Sequence, residues 1–362
     1  MTVRVGLIGT GGIVMANHIP GLALCPDTEV VALCDPNPAA LERAHSQLPS
    51  AQTFTDYRRL LAEAPVDAVV IATPNSEHAP IALAAIQAGK HVLCEKPIAM
   101  NLAEAQSMAA AADAAGVRHM TAFTYRFVPS MHYMKHLVDA GAIGQPYHFR
   151  ANRFQDFGRR SLGWRQLKHM AGSGEHGDML SHRIDFAHYL IGPIQRVVAN
   201  TRQFLADREG RDGGREAADV EDWVAFIGDF KSGPTGVFES TKVATGRGAG
   251  GRSHDYCEVN GSEGTLIYFL HQPHVLHRGR LGQPGLEEIP VPEEFLKHAG
   301  SPRDPHAGDP LSVFRYDQDF EFIDAIRSGR SCAPSFHDGA RVQAVIDAVL
   351  LSTEEKRWVE VS

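Results

Sequence analysis

The chain has 362 residues, of which 43% are hydrophobic and 22% are charged, a composition typical of globular proteins and a length sufficient for two domains. The formal net charge of −8 excludes a general binder of nucleic acid or of anionic membranes, because such proteins need a basic surface. Glycines interrupt the apolar stretch at the N-terminus, and no apolar run approaches the roughly 18 residues that would span a bilayer. The five cysteines are scattered and form no C-x-x-C pair, so we expect reduced thiols in a cytoplasmic protein.

Short apolar runs alternate with longer amphipathic segments over the first 125 residues. The runs predict buried strands at Val3–Ile8, Val30–Cys34, Ala68–Ala72, His91–Cys94 and Arg118–Phe123. The segments predict helices at Ile13–Leu24, Pro38–Leu48, Glu77–Ala88 and Leu102–Ala115. Strands and helices in this alternation predict βαβ units, and therefore a doubly wound parallel sheet of the Rossmann type over residues 1–125.

The pattern changes after a predicted connecting helix at Met131–Ala140. Longer alternating runs predict strands at Tyr147–Phe157, Ile194–Phe204, Trp223–Phe230, Thr235–Val243, Tyr256–Asn260 and Thr265–Phe269. One helix is predicted among them, at Asp178–Leu190, and the chain ends with helices at Val313–Ser328 and Gly339–Thr353 and a strand at Trp358–Val361. We expect residues 126–362 to form an α+β domain with a large, open, mainly antiparallel sheet, whose C-terminal helices could pack back on the first domain.

Two polar segments of the second domain are predicted to be loops. Asp207–Ala218 is rich in charge and glycine, and His271–Asp309 is rich in proline, glycine and histidine. A loop as long as the second one is uncommon in a compact domain, so we interpret it as a functional flap or an excursion to a neighbouring subunit.

A glycine-rich turn, Gly9-Thr10-Gly11-Gly12-Ile13-Val14, follows the first strand and opens a helix. Its glycines allow a tight turn and let backbone N–H groups approach a pyrophosphate at the helix N-terminus. Asp35 ends the second strand about 20 residues further on, where the ribose hydroxyls of a dinucleotide lie. A 2′-phosphate would be repelled by Asp35, and so NAD is favoured over NADP. Val14 stands where a third glycine or alanine is usual, which predicts slightly wider spacing between helix and strand.

Three further motifs identify a family resemblance. They are Ala72-Thr73-Pro74-Asn75, Cys94-Glu95-Lys96-Pro97, and Gly174 followed by Asp178-Met179-Leu180-Ser181-His182. Together they resemble the glucose–fructose oxidoreductase, inositol dehydrogenase and MocA family over nearly the whole chain. The resemblance implies that a cofactor is bound by Gly9, Thr10, Gly11, Gly12, Ile13, Asp35, Thr73, Pro74, Asn75, His78, Glu95, Lys96 and Arg126.

The resemblance also implies that Lys96, Asp178 and His182 form the catalytic group. Oxidation of a secondary alcohol needs a base at the hydroxyl while hydride leaves the carbon for nicotinamide. Histidine suits this task because its ordinary pKa is about 6.5, and Asp178 lies four residues earlier on the same predicted helix. A lysine can stabilise the developing alkoxide. Taken singly, Lys96 could be a solvated strand end and the other two a surface pair, but the family pattern favours catalysis.

The same histidine and aspartate could also be interpreted as metal ligands. Spacing allows only the pair Asp178 and His182, with His176 nearby and no cysteine close in sequence. We therefore expect no metal.

The substrate pocket is expected to include aromatic and arginine side chains beside the catalytic group. Aromatic faces stack on the C–H surfaces of sugars, and arginines donate to hydroxyls. Trp164 has a competing interpretation as a buried core residue, but its place in a loop rich in glycine and arginine favours the pocket. The expected substrate-binding residues are Lys96, Tyr125, Arg153, Trp164, Arg165, Asp178 and His182.

Three functions remain open from the sequence. The first is NAD-dependent dehydrogenation of a cyclitol, free sugar or sugar derivative. The second is a redox-neutral reaction, such as glycoside cleavage, elimination or epimerisation, in which bound NAD is reduced only transiently. The third is a dinucleotide-sensing protein without chemistry. In each case the resemblance implies a homodimer or homotetramer formed through the open sheet, whose exposed face would otherwise favour aggregation.

Overall fold

The computed structural model describes residues 2–158, 160–210, 212–248 and 254–362. These residues form two compact units. The first combines the chain up to Thr124 with Lys297–Ala340, and the second combines Tyr125–Leu296 with Arg341–Ser362. The first stretch of the chain ends at Thr124, where a boundary after residue 125 was expected, and the first unit also takes in 297–340 from the segment whose C-terminal helices could pack back on it.

The first unit contains a parallel sheet of six strands among the described residues, in the order β3-β2-β1-β4-β5-β6. The strands are β1 Val3–Ile8, β2 Thr28–Cys34, β3 Gln52–Phe54, β4 Ala68–Ile71, β5 His91–Cys94 and β6 His119–Thr121. The helices between them are α1 Ile19–Leu24, α2 Pro38–His45, α3 Tyr57–Glu63, α4 His78–Gln87 and α5 Leu102–Ala115. This arrangement confirms the predicted Rossmann-type sheet. The reversal of strand order between β1 and β4 places a ligand crevice at the carboxyl ends of these strands.

Local chemistry explains where these helices begin and end. Asn37, Asp56 and Asn101 each accept backbone N–H groups at the start of α2, α3 and α5. Gly116 ends α5 in the left-handed conformation. Strand β3 and helix α3 were not predicted, because only one of the three residues in β3 is buried and no apolar run marks it.

The second unit is built on a sheet of nine strands among the described residues, in the order β16-β15-β14-β13-β7-β12-β11-β8-β17. Its strands are β7 Pro146–Phe154, β8 Ile194–Arg202, β11 Trp223–Phe230, β12 Thr235–Thr241, β13 His254–Gly261, β14 Gly264–Phe269, β15 Val275–Arg280, β16 Glu287–Pro290 and β17 Val359–Glu360. β12 pairs with β7 in parallel and the other neighbours are antiparallel, so the sheet is mixed and mainly antiparallel, as expected.

Helices and turns complete the two units. The remaining helices are α6 Pro129–Asp139, α7 Lys168–Ala171, α8 Ser181–Leu190, α9 Tyr316–Ser328 and α10 Phe336–Glu355. Single π-helical turns at Val14–His18 and His176–Leu180 lead directly into α1 and α8. Among the described residues, none of the helices is both long enough and apolar enough to cross a membrane.

Both segments predicted to be loops contain strands. His271–Asp309 includes β15 and β16, which form an antiparallel hairpin at the edge of the large sheet. Asp207–Ala218 includes a two-stranded ribbon of β9 Asp207–Glu209 and β10 Arg215–Ala217, and Arg211 lies outside the described residues. These predictions were wrong because edge and ribbon strands bury few side chains and so carry no apolar alternation in the sequence.

Candidate active site

The first glycine of the phosphate-binding turn is required by the fold. Gly9 has φ +88°, and a Cβ at this position would lie 2.6 Å from the carbonyl oxygen of Ala72. Its N–H donates to the carbonyl oxygen of Cys34 at 2.8 Å. The turn is thus held against the ends of both neighbouring strands of β1, and a larger residue cannot replace Gly9.

Asp35 fixes the rest of this turn. Its Oδ2 accepts hydrogen bonds from the backbone N–H of Thr10 at 2.8 Å and from the hydroxyl of Thr10 at 3.2 Å, while its Oδ1 accepts from the N–H of Asn37 at 2.9 Å. A Cβ on Gly11 or Gly12 would meet no heavy atom of the described residues within 4 Å. Space therefore lies beside two backbone amides at a helix start, which fits a pyrophosphate.

Val14 is fully buried, and the π-helical turn begins at this residue. The wider spacing between helix and strand that Val14 predicts stays a prediction.

The loops after β4 and β5 bring together the other cofactor residues that the sequence predicted in the first unit. Asn75 and His78 are buried, and Thr73, Pro74, Glu95 and Lys96 are partly exposed. The Nδ1 of His78 lies 2.9 Å from the carbonyl oxygen of Pro97, and its Nε2 lies 3.1 Å from that of Thr73. Burial lowers the pKa of His78, against the effect of these hydrogen bonds. His78 therefore joins the two loops.

A buried charge cluster that the sequence did not predict lies next to Glu95. The ring of His18 has Nδ1 2.7 Å from Asp319 Oδ1 and Nε2 3.3 Å from Glu95 Oε1. The signal available in the sequence was a histidine within the apolar pattern of Ile13–Leu24. Its partner Asp319 lies 301 residues away and could not have been assigned.

In the second unit, Asp178 and His182 lie on consecutive turns. Asp178 belongs to the π-helical turn before α8, and its side chain is 35% exposed, with Oδ1 3.8 Å from Nε of Arg165. His182 lies in α8, is buried, and has its ring edge-on to Tyr125 with the centroids 4.5 Å apart. One accessible carboxylate and one buried imidazole thus stand near each other in the chain.

Two buried arginines contact Tyr125. Arg153 donates to the hydroxyl of Tyr125 at 3.4 Å, and Arg153 and Arg183 both pair with the carboxylate of Asp255. The guanidinium of Arg183 lies 5.1 Å from the centre of the Tyr125 ring. Arg153, predicted to bind substrate, is buried and directed to these partners.

Arg126 and Trp164 differ in exposure. The guanidinium of Arg126 is buried and bidentate to Asp185, with Nε–Oδ2 2.8 Å and Nη2–Oδ1 2.5 Å. The cofactor contact that the sequence predicted for Arg126 stays a prediction. Trp164 is partly exposed with Arg165 stacked 4.2 Å from its ring centre, which removes the alternative of a core tryptophan.

Two carboxylates hold the start of the segment that carries Asp178, and neither was predicted. Glu221 Oε1 accepts from the N–H of Gly174 at 2.7 Å and from that of His176 at 2.9 Å. Glu175 is buried and accepts from the hydroxyl of Ser240 at 2.5 Å. Burial and the nearby charge of Asp178 raise the pKa of Glu175 to about 7, although the Ser240 hydrogen bond opposes the shift.

Side chains of metal-ligand type also meet in the first unit, at Asp113, His119 and His337. The N–H of Phe336 donates to Nδ1 of His119 at 3.0 Å, so the proton of a neutral His119 ring lies on Nε2, 3.3 Å from Asp113 Oδ1. A metal would need the lone pair of that Nε2. The cluster is accounted for by its hydrogen bonds.

Comparison with known proteins gives matches over both units. Residues 3–123 match the model of an oxidoreductase family with an NAD-binding Rossmann fold, and residues 131–267 match the model of the GFO/IDH/MocA C-terminal domain. The chain is 30% identical to levoglucosan dehydrogenase of Pseudarthrobacter phenanthrenivorans, over 99% of this chain and 98% of that protein. It is 28% identical to inositol 2-dehydrogenase of Rhizobium meliloti, over 100% of both.

Two solved structures superimpose on the whole chain. Levoglucosan dehydrogenase in complex with NADH superimposes with a TM-score of 0.91 at 30% identity, and an oxidoreductase domain protein from Kribbella flavida does so with a TM-score of 0.91 at 34% identity. In both cases 100% of each chain is covered.

Proposed function

The chain belongs to the Gfo/Idh/MocA family of NAD-dependent oxidoreductases, and we propose that it transfers hydride between NAD and a secondary alcohol of a sugar, cyclitol or sugar derivative. The relatives act on compounds of this class, as the names levoglucosan dehydrogenase and inositol 2-dehydrogenase state. Levoglucosan and myo-inositol are therefore the first substrates to test.

NAD would be held by the turn Gly9–Ile13, by Asp35 and by the loops after β4 and β5. When bound, NAD supplies the hydride acceptor for the alcohol. The open space beside Gly11 and Gly12 would hold the pyrophosphate, and the carboxylate of Asp35 would accept from ribose hydroxyls and would repel a 2′-phosphate. We expect NAD to be used in preference to NADP for this reason.

Lys96, Asp178 and His182 are the proposed acid–base residues. His182 takes the proton of the substrate hydroxyl, Asp178 orients the imidazole or the sugar, and Lys96 donates to the same oxygen as negative charge develops on it. Tyr125, Trp164 and Arg165 contact the substrate, and Arg153 holds Tyr125 in place. The observation that carries the proposal is the accessible Asp178 one turn before the buried His182, in a chain whose dinucleotide turn is intact.

The test is a substrate screen with NAD and NADP that follows both NADH absorbance and product mass. Levoglucosan, cyclitols, hexoses, pentoses and glycosides are assayed with the native chain, Lys96→Ala and His182→Ala. We expect stoichiometric NADH, and losses in kcat of about 100-fold or more in both variants, because acid–base assistance contributes about 10²–10⁴-fold. His188→Gln, on the same helix α8, is the matched control and should retain activity.

Two other outcomes would each replace the proposal. Product without net NADH would identify a redox-neutral enzyme that uses NAD transiently. If NADH binds but no substrate is converted, and the two variants leave cellular function intact, the chain senses the dinucleotide without chemistry.

We also propose a homodimer or homotetramer in the cytoplasm. The five cysteines are free and buried, as expected of a reducing compartment. One face of the large sheet is exposed and carries apolar side chains, which supports burial against a second copy.

A further inference from the structure

His18 lies in the first unit between two carboxylates. It is the last residue of the π-helical turn that follows the phosphate-binding loop, and it is fully buried. Its two ring nitrogens face two carboxylates, Asp319 on α9 and Glu95 after β5. A single side chain thus joins three segments that are far apart in sequence.

The two carboxylates around His18 favour the charged form of its imidazole. Burial opposes the charge, but the attraction of Asp319 and the hydrogen bonds to Asp319 and Glu95 outweigh it and raise the pKa of His18 to about 10. Only the imidazolium can donate from both nitrogens at once, and each carboxylate here accepts one of these bonds. The same contact lowers the pKa of Glu95 against the effect of burial.

The fold makes room for this arrangement at Gly21. A Cβ at that position would lie 2.2 Å from Oδ2 of Asp319, so any larger residue would displace the carboxylate. Asp319 is itself fully buried and has little space into which it could move. The third residue after His18 is therefore glycine for a steric reason.

The cluster continues to the proposed catalytic lysine. Glu95 uses Oε1 for His18, and its Oε2 accepts from the backbone N–H of Lys96 at 3.2 Å. We propose that His18 is a positioning residue that ties Glu95, and through it the backbone of Lys96, to the helix that follows the phosphate-binding loop. Dinucleotide binding and placement of Lys96 are thereby coupled. This inference rests on the role of Lys96 in the proposed function.

A double-mutant cycle of His18→Gln and Glu95→Gln tests the coupling. Glutamine at position 18 is uncharged and has its two N–H donors on a single nitrogen, so it cannot replace the two ring nitrogens that face Asp319 and Glu95, and the anchor of Glu95 is weakened. We expect each single variant to raise the Kd for NADH and to lower kcat by about tenfold, and the double variant to lie close to the singles, because the two residues act through one contact. NADH affinity is measured by nucleotide fluorescence on the native chain and its variants.

The matched control is His91→Gln. His91 lies at the opposite end of β5 and accepts the N–H of Arg118 at 2.9 Å, so it reports the general cost of changing a partly buried histidine in this sheet. It should leave Kd and kcat within twofold of the native chain. If the double variant showed the product of the single effects, about a hundredfold, His18 would not act through Glu95 and the inference would fail.

If His18→Gln folds poorly, Asp319→Asn provides a second test of the inference. Asparagine still accepts from His18, so we expect a lower Tm with Kd and kcat changed much less than in Glu95→Gln. A purely structural cluster would instead lower Tm in every variant and leave Kd and kcat of all folded variants unchanged. The NADH cycle needs no sugar, so it decides this inference even if the screen finds no substrate and the proposed function fails.

Discussion

Glu175 shows how a buried carboxyl beside the proposed catalytic segment can affect stability. It lies three residues before Asp178, and its hydrogen-bond donors are the hydroxyl of Ser240 at 2.5 Å and the side-chain amide of Gln155 at 3.4 Å. Burial is the main cause of its raised pKa, because a desolvated carboxylate is unfavourable. The folded protein therefore holds this proton at pH values where the unfolded chain has lost it.

The resulting pH dependence has a definite sign. The carboxyl ionises near pH 4.5 in the unfolded chain and near pH 7 in the folded one, so folding takes up a proton between these values. Stability from the protonated group is complete below about pH 4.5 and is lost as the pH rises to about 7. We predict that the free energy of unfolding of the native chain falls by up to about 3 kcal/mol relative to Glu175→Gln across this window.

Urea unfolding of both proteins at a series of pH values measures this difference. Glu294→Gln, which changes an exposed carboxylate of the same unit, should follow the native curve. Parallel curves for the native chain and Glu175→Gln would contradict the prediction.

At the scale of elements, α1 and α8 share one feature. Both α1 and α8 begin with a single π-helical turn, at Val14–His18 and His176–Leu180. A π turn holds an extra residue and so changes the direction in which the following side chains point, and such turns are frequent at functional sites. His18 and Asp178 both lie in these turns.

The start of the second π turn is closely packed, which gives a prediction for Gly174. A Cβ at this position would lie 2.1 Å from the backbone oxygen of Glu221, and a backbone atom cannot move aside as a flexible side chain can. We expect Gly174→Ala to lower the free energy of unfolding by about 1–3 kcal/mol or more and to reduce activity. Thermal unfolding and kcat measure the two effects.

Gly214→Ala is the control in the same unit. A Cβ there would meet no heavy atom of the described residues within 4 Å, and the residue has no positive φ, so Tm should change little. Equal Tm values for the two variants would contradict the prediction, because they would show that the backbone around Gly174 accommodates a Cβ without loss of stability.

At the scale of the whole molecule, the exposed face of the large sheet predicts assembly. Ile227 and Val237 are directly opposite each other on β11 and β12, and they are 46% and 45% exposed. We expect the native chain to elute as a dimer or tetramer at micromolar concentration, and Ile227→Glu with Val237→Glu to shift it to smaller species, because buried charges without partners are unfavourable.

Leu281→Glu is the control, since Leu281 is 77% exposed but follows β15 at the edge of the sheet. It should not change the elution volume. A monomeric native chain in gel filtration would contradict the prediction of an oligomer.

The sequence by itself determined the Rossmann-type sheet and its dinucleotide turn, because these depend on local patterns. Buried parallel strands are continuous apolar runs, and Gly9 and Asp35 stand at fixed places after β1 and β2. The family motifs were equally local, and they placed Lys96 after β5 and Asp178 with His182 at the start of a helix.

Only the tertiary structure decided the contacts between segments that are far apart in sequence. The pairing of His18 with Asp319, the two arginines on Asp255, and the hairpin of β15 and β16 at the sheet edge leave no periodic signal, since each depends on which segments meet in space. Burial then changed what some predicted residues do. Arg153, which the sequence predicted in a substrate pocket, has a carboxylate partner inside the second unit, and its contact with substrate stays a prediction.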